Sequence, residues 1–139
     1  MPRRSLAREV ALQALHHMEF NPESEQGDRA RFLKGRLHSG TLVAFAESLI
    51  DGVSRDRAVL DARLDAQLTN WRVSRMAVTD RNVLRIALHE LLHTDTPGPV
   101  VVDEAIELAR RYGSESSPRF VAGILGGLLA ARQAATDGG

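Results

Sequence analysis

Thr79-Asp80-Arg81-Asn82-Val83-Leu84-Arg85-Ile86-Ala87-Leu88-His89-Glu90-Leu91-Leu92-His93, closed by Thr96-Pro97-Gly98-Pro99, is the stretch that decides the fold class. Leu84, Leu88 and Leu91 recur at three- and four-residue spacing, the stripe of an amphipathic helix. Thr79 or Asp80 is placed to cap its start. The proline-glycine-proline run after it is the clearest break in the chain.

The same period extends outward in both directions. Leu6, Val10, Ala14 and Met18 recur four apart from Arg3 to Phe20, and Asn21-Pro22 ends that helix because a residue before proline is driven out of the α region. Residues 21–27 read as a loop and Asp28 to about Leu37 as a short helix. Thr41 can cap a helix through Leu42, Phe45, Leu49 and Val53. A turn near Ser54-Arg55-Asp56 leads into Leu60, Leu64 and Leu68, and the pattern leaves open whether 41–68 is one kinked helix or two. Thr69 to Ser74 interrupts the spacing. Pro99 suits an early helix position, Gly113 a C-cap, and Ser116 or Ser117 with Pro118 the start of a last helix. The tail from Thr136 to Gly139 is expected to fray. Val100-Val101-Val102 is too short for a good strand, so the class predicted is all-α.

Composition narrows the function. The 139 residues suit one domain, 1–139, and contain no cysteine, which excludes disulfides, thiolate catalysis and cysteine-bound zinc. No run approaches the ~18 apolar residues of a membrane span, and no apolar signal segment follows the basic start, so the expected setting is cytoplasmic. Lys+Arg and Asp+Glu both number 18. A neutral chain that binds nucleic acid must do so through a local patch.

His89-Glu90-Leu91-Leu92-His93 is literally H-E-x-x-H, a zinc-peptidase pattern. Three points count against that reading. No third histidine follows, and Glu104 or Glu107 would be arbitrary substitutes. The apolar arc is centred away from the two histidines, which are expected on a solvated flank at the helix end with Asn82 and Arg85. No sheet edge is foreseen to hold a peptide. Neither a metal nor any other cofactor is expected. Gly123, Gly126 and Gly127 follow no strand and read as helix–helix packing sites, each costing ~1 kcal/mol in helix propensity. Asp61 and Asp65, near Arg57 and Arg63, read as a solvated charged face.

Two features suit RNA. Arg3, Arg4 and Arg8 open the first helix, Arg4 and Arg8 on one face where they can straddle phosphates; Glu9 is an ordinary alternative partner. Ser116-Ser117-Pro118-Arg119-Phe120 opens the last helix, where free N–H groups, a guanidinium and an aromatic face meet. Phe120 is equally suited to a core position.

In order along the chain, several blocks resemble the NusB family of bacterial antitermination factors. They are Ala7-Arg8-Glu9 with Ala11-Leu12-Gln13-Ala14-Leu15; Asn70-Trp71, Arg75, Asp80-Arg81 with Leu84-Arg85-Ile86-Ala87 and Glu90-Leu91; Pro99 to Ala109 with Tyr112-Gly113-Ser114-Glu115; and Arg119-Phe120-Val121 with Gly123-Ile124-Leu125. The resemblance implies a bundle of about six to seven helices in two packed halves and a role without catalysis. It implies binding of boxA-type RNA together with NusE, a small-subunit ribosomal protein, within the RNA polymerase antitermination complex of ribosomal RNA transcription. By position it places Arg3, Arg4, Arg8, Arg119 and Phe120 on RNA and Asp80 toward NusE; Asp80 also suits a helix N-cap. The family often has an acid where Ser116 stands, and its loss here removes a negative charge that would repel RNA beside Arg119. NusB-like domains also precede some ribosomal RNA methyltransferases, but no cofactor-binding domain follows in this chain.

Overall fold

The computed structural model describes residues 3–23 and 26–138, and every regular element among them is helical. In chain order these are α1 (Arg3–Phe20), α2 (Gln26–Arg36), α3 (Gly40–Arg55), α4 (Arg57–Gln67), a 3-10 turn (Val73–Arg75), α5 (Val78–His93), α6 (Gly98–Tyr112) and α7 (Ser117–Gly138). Helices α1–α3 pack on one another, α6 packs on α7, and α5 runs between them touching α1, α3, α4, α6 and α7. One continuous apolar core, from Ala7 to Leu125, joins the two groups.

The stretch 41–68 is two helices. Asp56 breaks it, leaving the helical region at φ −103° and ψ 17°, with its N–H still bonded to Gly52 O. That elbow turns α4 back onto α5. The first cap also moves: Ser39 Oγ, not Thr41, accepts the Leu42 N–H at 3.4 Å. At α5 the capping residue is Ala77, which has no side chain to donate or accept. Asp80 therefore sits inside the first turn, where its charge suits the helix dipole.

Helix α5 departs most from its sequence pattern. Asn82 through Leu91 are all buried, because five neighbours cover the helix on every side. Polar groups on it must then find partners in the protein. Glu90 accepts two bonds from Arg8, at 2.7 and 2.8 Å. Arg85 grips Asp61 of α4 with two bonds of 2.8 Å and reaches Glu19 of α1 at 3.2 Å. Asp61 thus belongs to a partly buried ion-pair network and not to a solvated face, and Asp65 accepts the Val73 N–H at 2.8 Å to anchor the 3-10 turn.

Glu19 also collects Arg81 at 3.0 Å. Burial alone would raise its carboxyl, but the bonds and charges of Arg81 and Arg85 outweigh it, so Glu19 titrates below the ordinary 4.5. Such a group stabilises the fold above its unfolded value, and the contribution disappears as pH falls through the lower folded value. In a series of melting temperatures below about pH 4.5, Glu19→Gln is expected to flatten the acid-side slope. An unchanged slope would remove Glu19 from that account.

Close approach explains two glycines. A Cβ on Gly52 would collide with the His89 ring, so this glycine lets α3 lie against α5. A Cβ on Gly113 would meet Ser117 Oγ, which accepts the Ser114 N–H at 2.9 Å and shapes the α6–α7 corner. Gly123 and Gly126, expected at tight helix contacts, instead have nothing within 4 Å of an added Cβ. Helix α7 continues to Gly138, beyond the expected start of fraying, and Gly139 lies outside the described residues.

Candidate nucleic-acid interface

Three elements, the first two consecutive in sequence and the third distant from both, build one open groove of ≈ 380 Å³, lined by Trp71, Arg75, Met76, Ala77, Asp80, Ser116, Arg119 and Phe120. The first is the connector after α4, pinned from beneath by buried Val73 and Met76. Pinning the connector leaves Trp71 on the surface, 55% exposed. The second is the first turn of α5, which contributes Asp80. The third is the start of α7, where Ser116 O accepts the Phe120 N–H and Pro118 occupies a position that needs no donor.

Phe120 packs on the core with one side and meets Trp71 edge-on with the other, ring centroids 6.0 Å apart and planes at 70°. Arg75 and Arg119 are both exposed on the rim. Aromatic faces between exposed guanidiniums stack unpaired bases and hold phosphate. On the facing wall, Asp80 Oδ1 is buried without a hydrogen-bond partner, an acceptor that wants a donor from outside. Trp71 is a site residue that charge and helical period do not single out. As the single tryptophan of the chain, in a polar break between helices, it carried a signal of its own.

The expected arginines at the start of α1 fare differently. Arg3 begins the helix, and its side chain lies outside the described residues. Arg4 is exposed, its guanidinium carbon 4.5 Å from the centre of the Phe45 ring. Arg8, expected beside Arg4 on a phosphate-facing surface, is instead 3% exposed and held by Glu90, with Glu104 at 3.7 Å. Burial opposes its charge, and the two carboxylates overcome that opposition. No face of it is left for a phosphate. Glu9, its alternative partner, bonds Arg111 and Tyr112.

The two expected RNA ends also stay apart. Arg8 meets Glu90 whereas Glu19 meets Arg81, so α1 and α5 are antiparallel, and Asp80 with the groove lies beyond the far end of α1. The 18 residues of α1 span about 27 Å at ~1.5 Å each. The H-E-x-x-H motif is divided as well. Glu90 turns to Arg8 and supplies no base beside the histidines. His89, expected on a solvated flank, is 6% exposed, and its burial lowers the imidazole pKa, with His93 and Arg55 adding to the shift.

The NusB family model matches residues 5–130. The chain belongs to the NusB family. It is 48% identical over 124 residues to the transcription antitermination protein NusB of Anaeromyxobacter dehalogenans, covering 88% of this chain and 87% of that one. To the protein of the same description from Desulfitobacterium hafniense it is 41% identical over 131 residues, covering 88% and 84%. Among solved structures, T. maritima NusB superposes with a TM-score of 0.77 at 36% identity, over 90% of this chain and 88% of that one. The crystal structure of antitermination factors NusB and NusE in complex with dsRNA shares the fold, with a TM-score of 0.80 at 24% identity over 94% and 98%. In this NusB-family chain no described helix is long and apolar enough to cross a membrane.

Proposed function

We propose that this chain is a cytoplasmic transcription antitermination factor that binds boxA-type RNA together with NusE and acts by assembly, without catalysis. The observation that carries the reading is the Trp71–Phe120 pair with Arg75 and Arg119 on its rim, a stacking platform inside a cationic frame. Family membership and the antitermination relatives supply the process, and the fold shared with a NusB–NusE–RNA complex supplies the class of partners. Formal neutrality of the whole chain confines RNA to such a patch. Exposed Arg4, with Arg3 beside it in sequence, forms a second, separate contact for RNA that leaves the groove. Asp80 offers its unpartnered oxygen to NusE.

Fluorescence anisotropy with a boxA-like RNA, with and without NusE, tests the proposal. Arg119→Ala is expected to weaken binding and to reduce the slope of log K against log salt by about 0.7 to 0.9, the loss of one phosphate contact. Asp80→Asn is expected to spare binding of RNA alone and to reduce the gain that NusE brings. Absence of binding at low salt with NusE present would sink the reading.

A further inference from the structure

At the opposite end of α5 from the groove, His89 and His93 share a helix face, with ring centroids 5.0 Å apart. The elbow between α3 and α4 carries Asp56 to the same place. His93 Nε2 lies 3.8 Å from Asp56 Oδ2, and one ligand atom from each of the three residues falls within 4.8 Å of the others. No further histidine follows His93 in sequence to supply a third ligand. The fold brings one from the other direction.

We infer that Asp56, His89 and His93 form a binding site for one divalent cation of the zinc type, a site independent of the RNA-binding proposal. Two imidazoles and a carboxylate select zinc, cobalt or nickel over magnesium and calcium, which prefer all-oxygen shells. Bonds of about 2.0 to 2.2 Å in a tetrahedron put ligand atoms roughly 3.3 Å apart. The His93–Asp56 pair is therefore within ~0.5 Å of its liganded spacing, and the exposed His93 side chain has room to close that gap.

His89 supplies the independent observation. Its Nδ1 is buried and has no hydrogen-bond partner, a vacancy that buried polar atoms seldom keep. Gly52 leaves the room that the His89 ring occupies. Arg55 bonds the Asp56 carboxylate at 3.1 and 3.3 Å, the outer-shell support that ligating carboxylates ordinarily receive. Three protein ligands leave a coordination position for water. Glu90, sealed against Arg8, cannot activate that water, so the site is a staple between the α3–α4 elbow and α5 and not a hydrolytic centre.

The test uses the full chain without an affinity tag, stripped with chelator and dialysed against Co2+ or Zn2+. One metal per chain is expected, with the visible bands of low-coordinate Co2+ and a melting temperature that rises with added zinc. His93→Ala and Asp56→Asn are each expected to weaken binding at least tenfold and to abolish the thermal shift, while His38→Ala, distant in sequence and on the surface, leaves both unchanged. Substoichiometric metal in the wild type overturns the site. So does wild-type affinity in either His93→Ala or Asp56→Asn, provided that circular dichroism shows the variant folded. RNA binding by the metal-free protein keeps the two proposals separable.

Discussion

Arg8→Ala is expected to lower the melting temperature by about 10 to 20 °C, from a loss of roughly 3 to 5 kcal/mol. The substitution removes one partner of a pair whose side chains are 4% and 1% exposed, leaving the Glu90 carboxylate buried without its two strong bonds. The nearest remaining donor, Thr96 Oγ1 at 3.5 Å, is too far to compensate. An apolar exchange of both partners, Arg8→Met with Glu90→Leu, should recover most of the loss, because buried pairs repay their desolvation poorly. Thermal or urea unfolding of the three proteins checks this. A stable Arg8→Ala protein whose RNA binding has merely become less salt-dependent would return Arg8 to the phosphate role suggested by its spacing from Arg4.

The other large effect belongs to the groove. Trp71→Ala and Phe120→Leu are each expected to weaken boxA RNA binding by about 5- to 150-fold, the loss of a stacked base at ~1–3 kcal/mol. Leucine at 120 keeps the side that packs on the core, so stability should change little. Because the rings touch, the double variant should lose less than the product of the two single effects. Trp71 is the sole tryptophan, and its intrinsic fluorescence reports directly on stacking. Quenching on RNA addition is the expected signal. Wild-type affinity in Trp71→Ala, together with unquenched fluorescence in the native protein, would place the RNA elsewhere.

Both predictions rest on pairings that periodicity cannot express. A 3.6-residue stripe says which face of a helix is apolar, not what the opposite face will meet. In α5 the stripe through Leu84, Leu88 and Leu91 faces the core as its period predicts, and His93 at the helix end is exposed, but the rest of the expected solvated flank, Asn82, Arg85 and His89, is buried. Arg85, His89 and Glu90 were buried by α1, α3 and α4, through ion pairs with Glu19, Asp61 and Arg8 and through the space at Gly52. The start of α5 differs from its capping pattern for a related reason. Thr79 and Asp80 have the right chemistry for capping, but the extended backbone at Ala77 set the start, and Asp80 was left for the groove.

The chain by itself determined what local physics controls. Helical periods, the breaks at Pro22 and at Pro97 to Pro99, the absence of cysteine and the balance of charge all follow from neighbours a few residues apart, and so do the family blocks. Tertiary structure decided the rest. It joined Arg8 to Glu90 across 82 positions and Trp71 to Phe120, and it bent the chain at Asp56 to meet His89 and His93. The reason is energetic: a buried charge must find a partner wherever the packing of apolar faces happens to bring one, and only the assembled helices settle where that is.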